Sequence, residues 1–220
     1  PPAAAAAATA AAAAHGHAHV ATATTYKNLR GARGGLILAG DPSLERKLNS
    51  GVFPGVQGSV ILNAVAAKAV CLGEALRPEF PVYAHTVLNN ARVLATTLVE
   101  RGVDVVTGGT DTPLILVDLR PKNLTGAAAS ESLERAGLTC NKNGVPGDMQ
   151  PPNITSGLRF GVSAGTTRGF GAQEFETIGN LIADVLSSLD GKTANQSQLE
   201  ARITAEVKAM TQRFPIYSTG

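Results

Sequence analysis

The chain has 220 residues, 44% hydrophobic and 16% charged, with a formal net charge of +2 and a pI near 8.8, the composition of a globular α/β protein of one or two domains. Three tyrosines, six phenylalanines and no tryptophan, with no clustered Lys/Arg stripe, exclude the footprint of a nucleic-acid binder. No apolar run approaches the roughly 20 residues of a membrane span, so no membrane partner is expected.

Residues 1–15 form a low-complexity, alanine-rich tail. The tail lacks the cap and apolar face of a real helix, the arginines of a transit peptide and the basic start of a secretory signal, and it is given no function. His15, His17 and His19 alternate, so a strand would place them on one face. No acidic or cysteine partner lies nearby, and no metal site is expected. His17 to Ala23 reads as a strand through Val20 and the threonines, and Gly34 to Gly40 as a second, buried strand. Asp41-Pro42-Ser43 opens a short helix, with aspartate as cap and proline in the first turn, ending near Gly51.

Val60 to Leu76 reads as a long alanine-rich helix with few charges, buried over most of its circumference. Pro78 and Pro81 punctuate the chain, and Tyr83 to Arg101 follows as an amphipathic helix. Its stripe is Val87, Leu88, Ala91, Leu94, Ala95 and Leu98, and Gly102 is its stop. The change of domain is placed near Pro81, giving segments 16–81 and 82–220. Val103–Val106 and Leu114–Leu119 read as paired strands. A helix runs from near Thr125 to Ala136, and Arg159–Gly161 lies in another short strand. Glu174–Leu189 and Gln198–Arg213 are amphipathic packing helices, the last through Leu199, Ile203, Val207 and Met210. Cys71 and Cys140 stand far apart in apolar or strand-like stretches, as buried free thiols of a reducing cytoplasm would.

The chemistry centres on Thr22 to Gly35, where Lys27 stands between a hydroxyl-bearing strand and a turn rich in glycine and arginine. A lysine amine bonds an aldehyde when it is partly unprotonated. Apolar surroundings and the cations Arg30 and Arg33 would push its pKa down. The alternative is a solvated surface lysine.

The run Thr24-Thr-Tyr-Lys-Asn-Leu-Arg-Gly-Ala-Arg-Gly-Gly35 resembles the lysine segment of the serine hydroxymethyltransferases, pyridoxal-phosphate enzymes of fold type I (the aspartate-aminotransferase fold). Further stretches follow in that family's order: Phe53-Pro-Gly-Val-Gln-Gly58, Gly108-Gly-Thr-Asp111 with Leu116-Val-Asp-Leu-Arg120, Asn141-Lys-Asn-Gly-Val-Pro146, and Thr155-Ser-Gly-Leu-Arg-Phe-Gly161 with Thr166-Thr-Arg-Gly169. The likeness covers about residues 16 to 190 and only the second half of such an enzyme. It implies an α/β chain comprising the end of the large, cofactor-binding domain and the smaller C-terminal domain.

The resemblance implies that Lys27 holds the cofactor aldehyde, that Thr24 lies beside the cofactor ring, and that Arg33 keeps the lysine's environment electropositive. Tyr26 stands where most of the family has histidine; it donates a hydrogen bond but does not titrate near neutrality. Gln57, Gly58 and Ser59 fall where backbone amides meet the cofactor phosphate of the neighbouring subunit, with Ser59-Val60 replacing the usual Gly-Pro and Asn63 replacing a histidine. Arg159 would bind the substrate carboxylate through its bidentate fork, while Arg120 and Arg168 are read as structural ion pairs. Asn143 matches a folate contact, or belongs to a turn over Asn141–Gly144. Pro146-Gly147-Asp148 departs from the family.

The acid that pairs with the pyridine nitrogen, the ring-stacking residue and the groups that handle the serine hydroxyl belong upstream in the family. The resemblance therefore implies an upstream half, on the same or a separate chain, in a homo- or hetero-oligomer using tetrahydrofolate as co-substrate. Runner-up readings are an α-methylserine hydroxymethyltransferase or aldolase, a threonine-type transaldolase, and a non-catalytic scaffold.

Overall fold

The computed structural model describes residues 18–189 and 195–217. The alanine-rich tail, His15 and His17 lie outside them. The chain divides into two compact units, between Ala84 and His85.

In the first unit, β1 (Val20–Thr24) pairs antiparallel with β2 (Gly35–Ala39), in a register running from Val20↔Ala39 to Thr24↔Gly35. The hairpin connection is the lysine segment itself. Asp41 accepts a hydrogen bond from the Ser43 amide at 2.8 Å and caps a 3-10 turn at Pro42–Leu44. The turn continues into α1 (Glu45–Ser50), and Gly51 does not end the helical run, which widens into a π turn over Gly51–Val56. Next comes α2 (Leu62–Ala75), of which only Cys71 and Ala75 are buried. They join Leu29 and Phe80 in a small cluster, with Leu36 and Tyr83 against it. The expectation that α2 is buried over most of its circumference is therefore corrected: Leu62 is 74% and Val70 63% exposed. Low charge in a helix says that something must cover it, but the described residues of this unit cover one face only.

Helix α3 spans Glu79–Glu100, beginning earlier than Pro81 suggests. A proline in the first turn loses no intrahelical bond, because those amides have no partner there.

The second unit is built on an antiparallel sheet of order β3-β4-β6-β5. Its strands are β3 (Asp104–Val105), β4 (Leu114–Asp118), β5 (Asn141–Asn143) and β6 (Gly157–Gly161). Helices α4 (Gly126–Arg135), α5 (Ser163–Arg168), α6 (Ala172–Ser188) and α7 (Gln196–Arg213) complete it. Alternation sends Ile115, Val117, Leu158 and Phe160 to a buried face. The core adds Val87, Ala91, Leu94, Ala95 and Leu98, with Ile182, Leu186 and Ile203. Gly179 lets α6 approach α3 closely, since a Cβ there would stand 2.8 Å from Thr97 Cγ2. Asn141–Asn143 is an edge strand against β6, with Asn141 opposite Arg159 and Asn143 opposite Gly157, rather than a turn.

A polar clasp joins α4 to α7. The buried Glu200 carboxylate accepts from Arg135 Nε at 2.8 Å and Nη2 at 2.8 Å, from Ser132 Oγ at 2.7 Å and from Gln196 Nε2 at 3.1 Å. The Arg135 bonds first, then those from Ser132 and Gln196, outweigh burial and hold the Glu200 pKa down at about 2, against an ordinary 4.5. A depressed carboxylate stabilises the fold above its unfolded pKa and loses that contribution as pH falls through the folded one. Glu200→Ala is expected to lower unfolding free energy by about 2–4 kcal/mol near neutrality, leaving Ser132 buried without its acceptor. Urea unfolding at several pH values checks this: the gap between wild type and variant should close between pH 4.5 and 2.

Among the described residues, no helix is long and apolar enough to cross a membrane, and no group of three or more His, Cys, Asp or Glu is placed to hold a metal ion.

Candidate functional site

The loop between β1 and β2 is fastened at both ends and exposed at its tip. Thr25 is fully buried. Its hydroxyl donates to Ala32 O at 2.6 Å and lies 3.1 Å from Gly34 O. Its amide donates to Gly34 O at 3.1 Å, and its carbonyl accepts from the Gly31 amide at 2.8 Å. Thr25 is thus the loop's internal tie. A single threonine at a strand end carries no such signal in sequence. Leu29 is buried as well. Tyr26, Lys27 and Asn28, between these anchors, are exposed.

Lys27 is exposed, and among the described residues of this unit the apolar surroundings expected for it are absent: Thr25 and Leu29 occupy the inward positions. The Lys27 Nζ lies 5.9 Å from the Tyr26 ring centroid, and the Arg33 guanidinium stacks over the same ring at 4.5 Å. Tyr26 thus has two cations near its ring, and the closer stacking orients Arg33. Arg30 goes elsewhere, over Tyr83 at 4.1 Å and Phe80 at 5.8 Å. Thr24 is half-buried at the end of β1, opposite Gly35.

Gln57, Gly58 and Ser59 are exposed, in the extended stretch before α2. The Gln57 amide is already spent on Val52 O at 2.8 Å. Among the described residues the Gly58 and Ser59 amides have no acceptor, so two N–H groups remain to meet an anion.

In the second unit, Arg159 is exposed at mid-strand in β6, its Nη2 donating to Asn141 Oδ1 at 3.5 Å. Asn143 is half-buried, its amide nitrogen donating to Gly144 O at 2.7 Å. The loop between these strands is organised by Asp148. Its carboxylate accepts from the amides of Val145, Gln150 and Ser156 at 3.2, 2.9 and 2.8 Å, and from Ser156 Oγ at 2.7 Å. Those donors, the Gln150 amide foremost, hold Asp148 well below the usual carboxylate range. Sequence reading marked this position only as a departure; an aspartate two residues before Gln150 is the Asx-turn signal for it.

Arg120 forms the expected ion pair, its Nη2 standing 2.6 Å from Asp118 Oδ2. Among the described residues Arg168 does not pair with an acid. Its Nε donates to Phe214 O at 2.5 Å and its Nη2 to Thr211 O at 2.9 Å, so it caps carbonyls at the C-terminal end of α7, where a cation is favoured. Cys71 is buried and Cys140 half-buried, both free; burial pushes the Cys140 thiol up to about 11.

Comparison with known proteins bears on this geometry. The family described as serine hydroxymethyltransferase matches residues 3–182. The chain is 58% identical over 196 residues to a serine hydroxymethyltransferase of Paramagnetospirillum magneticum, covering 89% of this chain and 46% of that protein. It is 59% identical over 198 residues to one of Rhizorhabdus wittichii, covering 89% and 45% respectively. A protein of Colwellia psychrerythraea named serine hydroxymethyltransferase 3 is 56% identical over 197 residues. The chain spans about half the length of the curated relatives it matches. With the family matched over most of its length, this chain belongs to the serine hydroxymethyltransferase family.

Proposed function

We propose that this chain is the C-terminal half of a pyridoxal-phosphate-dependent serine hydroxymethyltransferase, making and breaking the Cα–Cβ bond of serine with one-carbon exchange with tetrahydrofolate. The observation that carries the reading is Lys27: a primary amine on the exposed tip of a fastened loop, next to a stacked arginine. When bound, pyridoxal phosphate supplies an aldehyde for covalent capture and a ring that withdraws electrons from the amino acid's α-carbon.

The residues present fit that group. Lys27 Nζ would hold the cofactor through its aldehyde, as an imine formed with loss of water, while Thr24 would line the ring and Arg33 would keep the neighbourhood electropositive. Tyr26 holds Arg33 by stacking, a task for which a titrating histidine is not needed. The amides of Gly58 and Ser59 would meet the phosphate of the cofactor held by the neighbouring subunit, with Gln57 beside them. Arg159 binds the serine carboxylate, and Asn143 offers its amide to the folate. The pyridine-nitrogen acid and the ring-stacking residue come from the remaining half, on the same polypeptide or a partner chain, within an oligomer. The first unit then ends the large domain and the second is the small domain.

Borohydride reduction of the complete enzyme with pyridoxal phosphate, followed by peptide mass mapping, tests the assignment. The expected result is a pyridoxyl group on Lys27. A pyridoxyl group on another lysine, or on none, overturns it.

A further inference from the structure

The loop bearing Lys27 rests on α2 at one point of very close approach. A Cβ added to Gly31 would stand 2.5 Å from Cys71 Sγ, 2.8 Å from Cys71 Cβ and 2.9 Å from Thr25 O, so only glycine lets the backbone lie there. The Cys71 thiol donates to Leu29 O at 3.1 Å and lies 4.0 Å from Thr25 O. Those carbonyls belong to the residues two before and two after Lys27. One turn earlier on the same helix, the tip of Lys68 covers Gly34, with Cε 2.5 Å from where its Cβ would be. That contact is soft, because a lysine end moves freely, whereas the Cys71 contact is buried and meets backbone. Arg30, just before Gly31, holds a left-handed φ of 60°. This conformation costs a non-glycine residue about 1–2 kcal/mol and persists only where packing determines it.

We propose that the Cys71–Gly31 contact is a positioning device for Lys27, setting the height at which residues 26–28 leave the surface of the unit. The inference rests on the assignment of Lys27 as the cofactor lysine. Cys71 touches no substrate and acts only through the loop. Its side chain is small enough for the notch at Gly31 and long enough to reach the Leu29 carbonyl. Serine keeps both properties; any larger side chain lifts the loop.

The test uses Cys71→Met and the milder Cys71→Val, with Cys71→Ser as the conservative variant, all in the complete enzyme. In cofactor-free protein, hydrogen exchange at the Gly31 amide, bonded to Thr25 O, is expected to speed up more than tenfold in Cys71→Met, while amides of the β1–β2 ladder keep their wild-type rates. In the loaded enzyme, kcat for serine cleavage should fall about 10- to 100-fold, as a misplacement of about 1 Å does, with KM within about twofold. Cys71→Ser should restore both readouts, and Cys71→Val should show smaller changes in the same direction if Cys71→Met does not fold. Wild-type Gly31 exchange and wild-type kcat in Cys71→Met or Cys71→Val overturn the proposal. So does a loss that follows ladder exchange and melting temperature alone. Because exchange is read without cofactor, failure to trap pyridoxal phosphate on Lys27 would remove the catalytic assignment while leaving the loop measurement intact.

Discussion

Replacing Arg159 by lysine in the complete enzyme is expected to lower kcat/KM for serine by about 30- to 1000-fold, mostly through KM, the equivalent of about 2–4 kcal/mol for a desolvated charge pair. The residue sits at mid-strand in β6, with β4 on one side and β5 on the other. Leu158 and Phe160, its chain neighbours, are buried and hold the backbone. The side chain is exposed, and its hydrogen bond to Asn141 Oδ1 is at the outer limit of such a bond, 3.5 Å. A strand held by buried neighbours thus displays a guanidinium with a single long hydrogen bond among the described residues. A carboxylate can take both prongs of that fork, whereas an ammonium offers a single charge. Stability should change by no more than about 0.5 kcal/mol, as for other exposed positions. Steady-state kinetics with serine decide the matter: a KM within threefold of wild type would place the carboxylate elsewhere.

Lys27→Gln is expected to reduce serine turnover by about a thousandfold or more, since a residue that bonds the reacting group covalently has no substitute. Thr25 and Leu29 anchor the loop on either side, and the Arg30 amide closes it on the Lys27 carbonyl at 2.8 Å. None of these anchors uses the lysine side chain, which lies on the exposed tip 5.9 Å from the Tyr26 ring centroid, so the variant should fold as the parent does and lose chemistry alone. Turnover assays and urea unfolding on the same preparation separate the two. Activity within tenfold of wild type would sink the assignment.

Much of the second unit is legible in the sequence because its helices declare their faces. The stripe from Val87 to Leu98 is buried except for the half-exposed Leu88, and on α7 Ile203 and Met210 are buried while Leu199 and Val207 are partly so. The first unit is less legible for a physical reason. Helix α2 is apolar nearly all round, a pattern that states a need for cover without stating what supplies it. Short elements also escaped: a three-residue edge strand such as β5 has no periodicity to read, and Asn-Lys-Asn-Gly has turn chemistry that cross-strand pairing with β6 overrides. In the candidate site, Lys27 and Arg159 announce themselves by motif. The residues that hold the loops, Thr25, Cys71 and Asp148, do so through contacts that only folding brings together.

The two carbonyls that Arg168 grips give the carboxyl end of α7 a role beyond packing. Phe214 carries one of them, and its ring meets Phe170 edge-on at 5.1 Å. Arg213, just before it, holds Glu174 at 3.0 Å. A protease cutting after Arg213 would therefore unlatch both the aromatic contact on Phe170 and the arginine that leads out of α5.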